Sequence, residues 1–166
     1  MNDTPVLSLE EIVAAHAGMV RRIATVYERQ PDRIDDLVQE VWLAVWQALP
    51  RLTEAAMLKP YIARMTQNIC VTHVRRALVR KAEPLTDTVP DTSTPIDEAT
   101  DHARQLARLT EAVRGLPEPL KAVAGLYLED IAIKDIATLL AISESNASVR
   151  LHRAKALIRK HFGDVS

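Results

Sequence analysis

Glycine is scarce in this chain, with four in 166 residues. That leaves little material for tight β-hairpins or for a glycine-rich loop that would cradle a phosphate. Cysteine occurs once, as Cys70, so an internal disulfide is excluded and there is no Cys/His set for zinc. Cys70 reads as a small helix residue in a reduced, cytoplasmic compartment. Aromatic residues make up only 4% of the chain against 48% hydrophobic, and a mix rich in Ala, Leu, Val and Arg favours helices over strands. No apolar run approaches the roughly 18 residues of a membrane span. The first residues lack a basic start followed by an apolar block, so neither a secretory signal nor membrane insertion is expected. A nucleophile–base constellation is also missing. Asp32, Asp35, Asp36 and Glu40 cluster, yet no His or second acidic group lies at a matching helical spacing, as a metal site requires. Acids in a helix's first turn are explained by its macrodipole. No catalytic residue, metal ligand or cofactor is expected.

What the chain does have is segregated charge. Its net charge of −1 conceals two basic blocks separated by an acidic one. Residues 55–82 carry six Lys and Arg and no acid, residues 83–103 six acids and no base, and residues 144–166 five bases and two acids. Basic blocks of this kind point to nucleic acid better than net charge does. The acidic stretch also holds three prolines and five threonines, the composition of a linker rather than a folded element. A domain boundary is placed there, giving units 1–82 and 104–166.

Apolar periodicity predicts helices in both units. Ser8 with Glu11 has the capping-box spacing, and a helix follows to about Arg29 with Ile12, Val13, Met19, Val20, Ile23 and Val26 as its core. Gln30-Pro31-Asp32 breaks it, and Asp32 is read as the cap of the next helix. On that helix Val38, Val41, Trp42, Val45 and Leu49 share one side. Asp36, Gln39, Glu40 and Leu43 fall on the other, with Trp46 at the margin, a mixture suited to docking as well as to solvent. Pro60 opens a third helix reaching about Lys81. Tyr61, Ile62, Met65 and Ile69 form its apolar face. Arg64, Asn68, Thr72 and Arg75 form another, with Arg76, Arg80 and Lys81 beyond. No carboxylate relieves these cations along the helix, the usual electrostatic footprint of an anionic partner.

In the second unit, helical periodicity restarts at Leu106, Leu109 and Val113 and breaks at Gly115-Leu116-Pro117. A helix carrying Leu120, Val123, Ala124, Tyr127 and Leu128 follows. Residues Ile133 to Ser143 and then Glu144 to about Phe162 have the lengths, turn and Ser cap of a helix-turn-helix. Ala147, Leu151, Ala154, Ile158 and Phe162 make the inner stripe of its last helix. Ser145, Ser148, Val149, His152, Arg153, Lys155 and Arg159 point outward, small and polar first and basic later, as base-edge and phosphate contact require.

Taken in this order, the two halves resemble an extracytoplasmic-function sigma factor of bacterial RNA polymerase. The resemblance covers roughly residues 8–82 and 104–162. It rests on Asp35-Asp36-Leu37-Val38-Gln39-Glu40-Val41-Trp42-Leu43, on Tyr61-Ile62-Ala63-Arg64-Met65 leading to Asn68, and on His73-Val74-Arg75-Arg76. In the second half it rests on Leu116-Pro117, Asp135-Ile136-Ala137, Leu140-Ala141-Ile142-Ser143-Glu144 and Arg150-Leu151-His152-Arg153-Ala154-Lys155. It implies an all-α fold of two small helical domains joined by a flexible acidic linker. It also implies that Asp36, Gln39, Glu40 and Leu43 dock on the clamp helices of the polymerase beta-prime subunit. Arg64, Asn68, Thr72, Arg75 and Arg76 would lie near the minus-ten promoter element. Ser145, Ser148, Val149, His152, Arg153 and Lys155 would read the minus-thirty-five element. The remaining implied partners are the polymerase beta flap and an anti-sigma factor.

The chain departs from the family in several places. Tyr61 stands where Trp is usual and Thr72 where Asp is common. Ala141 replaces the usual turn Gly, and Ser145-Asn146-Ala147 replaces Gly-Thr-Val. Because Ala resists the positive φ that Gly accepts, a different turn backbone is expected at Ala141. The alternative reading is a helix-turn-helix regulator that never binds polymerase, which leaves the basic helix of the first half unexplained. An inactive relative that keeps the fold as an interaction module is a third.

Overall fold

The computed structural model describes residues 7–52, 54–81 and 100–163. These form α1 (Leu9–Tyr27), α2 (Pro31–Ala48), α3 (Leu58–Lys81), α4 (Asp101–Arg114), α5 (Glu118–Leu128), α6 (Ile133–Leu140) and α7 (Glu144–Gly163), with short 3-10 turns at Leu49–Arg51 and Ala55–Met57. The described residues contain helices and no strand.

Local chemistry sets the helix ends. Ser8 Oγ accepts from Glu11 N at 3.2 Å while Glu11 Oε2 accepts from Ser8 N at 2.8 Å, the reciprocal pair expected from the spacing. The second helix starts differently from its sequence reading. Gln30, not Asp32, is its N-cap and makes no side-chain bond, Pro31 takes the first helical position, and Asp32 lies inside the first turn. Proline's missing N–H costs nothing there, and the acid still faces the positive end of the macrodipole. Helix α4 begins three residues inside the segment read as linker. Thr100 Oγ1 accepts from Ala103 N at 3.2 Å and Asp101 sits in the first turn. A cap and an acid together can start a helix well before its first apolar residue, Leu106. The rest of the acidic segment, residues 82–99, lies outside the described residues.

Helices α1, α2 and α3 pack as a three-helix unit around Val20, Ile23, Val41, Val45, Ile62 and Ala63, all buried. Each branched side chain withdrawn from water is worth about 1.5–3 kcal/mol. Leu37 is also core, at 2% exposure, beside Ile34, Ala24 and Cys70. Trp42 and Val38 pack against the core only partly buried, whereas Tyr61, placed on the apolar face of α3 by periodicity, is 45% exposed. Cys70 is fully buried, and burial pushes its thiol up to about 12. At neutral pH it is a protonated packing group without a reactive thiolate.

Helices α4 to α7 pack mainly through α7, whose Leu151 and Ala154 meet the cores formed by Val123, Leu126 and Ile136 and by Val113, Leu116 and Ala124. Leu126 takes the core position on α5. Tyr127 and Leu128, which belong to the same apolar periodicity, are exposed. Between α6 and α7, Ala141 adopts φ 55° and ψ 43°. The expected avoidance of that conformation does not occur. Ile142 N donates to Ala137 O at 3.0 Å, closing a Schellman turn, and Ser143 Oγ caps α7 by accepting from Asn146 N at 3.0 Å. These bonds hold the alanine in a region costing an L-residue roughly 1–2 kcal/mol. Ala141→Gly should therefore raise stability by about 0.5–1 kcal/mol once glycine's greater freedom in the unfolded chain is subtracted. A higher denaturant midpoint at unchanged slope would register it; no gain would mean the turn carries no strain.

The two units do not stand apart. One buried cluster joins Ile12, Ile23 and Ile62 of the first to Val123, Leu126, Ile131, Ile136 and Leu151 of the second. Polar contacts surround it. Arg22 grips Glu129 with two bonds, at 2.9 and 2.8 Å, and Glu129 is 9% exposed. The fully buried Gln67 donates to the Ala122 carbonyl at 2.9 Å and accepts from Arg64 at 3.2 Å. Arg114 donates to the carbonyls of Thr25 and Val26, and Arg29 pairs with Glu111 at 3.0 Å.

Candidate functional site

Three helix faces carry the side chains singled out from the sequence. On α2, residues 36, 39, 40 and 43 recur at three- and four-residue intervals and so share one stripe. All four are exposed, Leu43 to 55%, and Trp46 beside them to 57%. Neighbouring Asp35 is tied to Arg21 at 2.7 Å. Among the described residues, Asp36 and Glu40 have no ion-pair partner. The result is an acidic, amide-bearing strip with apolar side chains in its midst, backed by the rigid core contacts of Val41 and Val45.

On α3, Arg64, Asn68, Thr72 and Arg75 line one cleft of about 650 Å³. Its far wall comes from the second unit: Glu118, Pro119, Ala122, Leu140 and Arg150. Arg75 reaches Glu118 at 3.5 Å, and Arg64 is held below the usual arginine range by burial, only partly offset by Tyr27 and Glu118. Arg76 is exposed and does not line this cleft. Sequence periodicity had no means of placing Arg150 here, because it belongs to a helix from the other half of the chain.

On α7, Ser145, Ser148, Val149, His152 and Arg153 form an open strip. Lys155 is separated from them. Its ammonium lies 4.6 Å from the Tyr127 ring centroid and 3.4 Å from the Tyr127 hydroxyl, so an exposed aromatic has drawn it aside. Arg150 is held along the helix by Asn146 at 3.0 Å. Among the described residues there is no group of three or more His, Cys, Asp or Glu that could hold a metal ion. No helix there is long and apolar enough to cross a membrane.

The order of these faces along one chain is matched by two family models. Sigma-70 region 2 matches residues 12–78, and Sigma-70, region 4 matches residues 106–158. The chain is an extracytoplasmic-function sigma factor. One relative is the ECF RNA polymerase sigma factor SigM of Mycobacterium tuberculosis, 24% identical over 158 residues, covering 94% of this chain and 78% of SigM. Two solved structures share the fold. One is CnrH in complex with the cytosolic domain of CnrY, with TM-score 0.70 and 18% identity, covering 95% of this chain and 89% of that one. The other is the sigma factor RpoE in complex with the anti-sigma factor NepR from Bartonella quintana, with TM-score 0.71 and 14% identity, covering 93% and 96%. As a sigma factor, the chain serves transcription initiation by RNA polymerase. Its region 2 match contains the α2 strip and the α3 wall of the cleft, and its region 4 match contains the opposite wall and the strip on α7.

Proposed function

We propose that the sigma factor divides its work among these faces. The α2 strip of Asp36, Gln39, Glu40 and Leu43 docks on the beta-prime clamp helices of core polymerase. The α3 face of Arg64, Asn68, Thr72, Arg75 and Arg76 meets the minus-ten element. The α7 strip of Ser145, Ser148, Val149, His152 and Arg153 reads the minus-thirty-five element in the major groove, with Lys155 at its edge. The functional units are residues 1–82 and 104–166, with the acidic segment 83–103 between them and α4 reaching back to Asp101. The protein works in the cytoplasm, with the beta flap as a second polymerase contact. An anti-sigma factor holds it, as NepR is bound to RpoE in the second of those two structures.

The observation that carries this reading is the α2 strip. Exposed Leu43 and Trp46, flanked by unpaired carboxylates, have no role in the fold, since the same helix buries Leu37, Val41 and Val45 on its other side. Reconstitution tests it. Mixed with core polymerase, the protein should co-elute with core and open a duplex promoter. Retained duplex binding with neither result would instead favour a regulator that acts without polymerase.

Recognition by α7 has its own test. If Arg153 contacts a base, Arg153→Ala should weaken binding to the minus-thirty-five duplex by roughly 1–3 kcal/mol and relax preference at one position. An equal loss on every sequence would make Arg153 a phosphate contact.

A further inference from the structure

Between α1 of the first unit and α4 and α5 of the second lies a cavity that none of the three faces uses. Its volume is about 510 Å³, within the range of roughly 300–1,000 Å³ usual for small-molecule sites. Its lining is mostly apolar, with Ile23, Val26, Leu106, Leu109, Val113 and Leu128. Leu106 and Leu128 are exposed, so the apolar lining continues to the surface and gives a way in. Gly18 and Gly125 contribute backbone without a side chain to fill the space. Lys121 and Glu129 both line the cavity, about 12 Å apart along α5 at 1.5 Å per residue, so it is elongated.

The charged groups of the lining are not evenly matched. Arg21 is tied to Asp35 at 2.7 Å, and Arg22 gives Nε and Nη2 to Glu129 at 2.9 and 2.8 Å. Those pairs cancel, and Lys121 is left over. Among the described residues its ammonium has no hydrogen bond and no ion pair, and it lies 5.4 Å from the Tyr27 ring centroid. Glu118, three positions earlier on α5, reaches Arg75 instead. Burial pushes the Lys121 ammonium below its ordinary range; Glu118 offsets part of this and Arg114 adds to it. Charges withdrawn from water are normally paired, and this one is not.

We propose that the cavity binds a free aliphatic carboxylate, with the carboxylate on the Lys121 ammonium and the chain along Val26, Leu109 and Leu128. One unpaired cation calls for a monoanion, and an elongated apolar lining calls for a tail. The site depends on neither the polymerase-docking nor the DNA-reading assignments made above.

The test uses the full chain and decanoate, read by isothermal titration calorimetry below the concentration at which decanoate forms micelles. One saturable equivalent is expected. Octanoate, shorter by two methylenes, should bind about tenfold more weakly. Decanol keeps the tail and loses the charge, and should also bind about tenfold more weakly than decanoate. Lys121→Gln should weaken decanoate by that factor and leave decanol unchanged, whereas Leu109→Ala should weaken both. Unchanged helicity shows that a variant has folded. Decanoate should also raise the melting midpoint progressively with its concentration, as a ligand of the folded state does.

No saturable binding to the unmodified chain, or uptake of many equivalents as on a detergent-coated surface, would overturn the site. Decanol binding as tightly as decanoate would overturn the carboxylate as its ligand class. Decanoate affinity that Lys121→Gln leaves unchanged would overturn the placement of the carboxylate on Lys121.

Discussion

Asp36→Arg combined with Glu40→Arg should abolish association with core polymerase while leaving the helical content and thermal transition of the sigma factor unchanged. The strip these residues occupy is exposed, and neither carboxylate has an ion-pair partner among the described residues, so the fold loses nothing when their charge is reversed. Surface substitutions away from caps and networks usually change stability by less than about 0.5 kcal/mol. A docking face behaves otherwise. Reversing charges across an interface costs several kcal/mol through like-charge juxtaposition, enough to remove a complex of ordinary affinity. Co-elution on size exclusion at near-physiological salt reads the outcome directly. Core binding that survives the double reversal would remove α2 from the polymerase interface. Leu43→Ala separates the apolar from the charged contribution, because Leu43 is 55% exposed and its loss should spare stability and weaken core binding.

The opposite pattern is expected at Leu126. This residue is fully buried in the cluster that joins the two units and touches none of the three proposed faces. Leu126→Ala should cost about 2–5 kcal/mol, the sum of lost transfer energy and the cavity left behind. For a chain of this size the melting midpoint should fall by roughly 5–15 °C. Differential scanning calorimetry would measure it. A drop of a degree or two would mean the shared core collapses around the missing atoms or is loosely packed. The same variant should loosen the seam between the units, since Val123, Ile131 and Leu126 are what the first unit's Ile23 and Ile62 pack beside.

Those two variants divide α2 and α5 along the line that separates legible from illegible in the sequence. The face of α2 follows from its own spacing, since a helix turning about 100° per residue must put Val41 and Val45 on one side and Asp36, Gln39, Glu40 and Leu43 on another. The capping box at Ser8 and Glu11, the Ser143 cap and the outward strip of α7 are equally local, and each is found as spaced. Local signals gave out where neighbours from the other half intervene. Leu126 looks no more apolar than Leu128, yet one is buried and the other exposed, because both sides of α5 are apolar and the packing partner chooses between them. Lys155 belongs by spacing to the basic strip, but Tyr127 on a different helix diverts it. Ala141 was expected to refuse a left-handed turn; backbone bonds from Ile142 and the cap at Ser143 overrule that preference.

By itself, the sequence determined the helical class, the order of the two units, the charge blocks and the outward faces, since all of these are set by residues within a turn or two of one another. Tertiary structure alone decided that the units share a core and that the second unit forms the far wall of the cleft beside α3. Arg22 and Glu129 lie 107 positions apart, and Gln67 and Ala122 lie 55 apart. No periodicity within a helix encodes a pairing across that distance. Shape does, where Gly125 leaves room beside a buried glutamine and a carboxylate on α5 meets an arginine on α3.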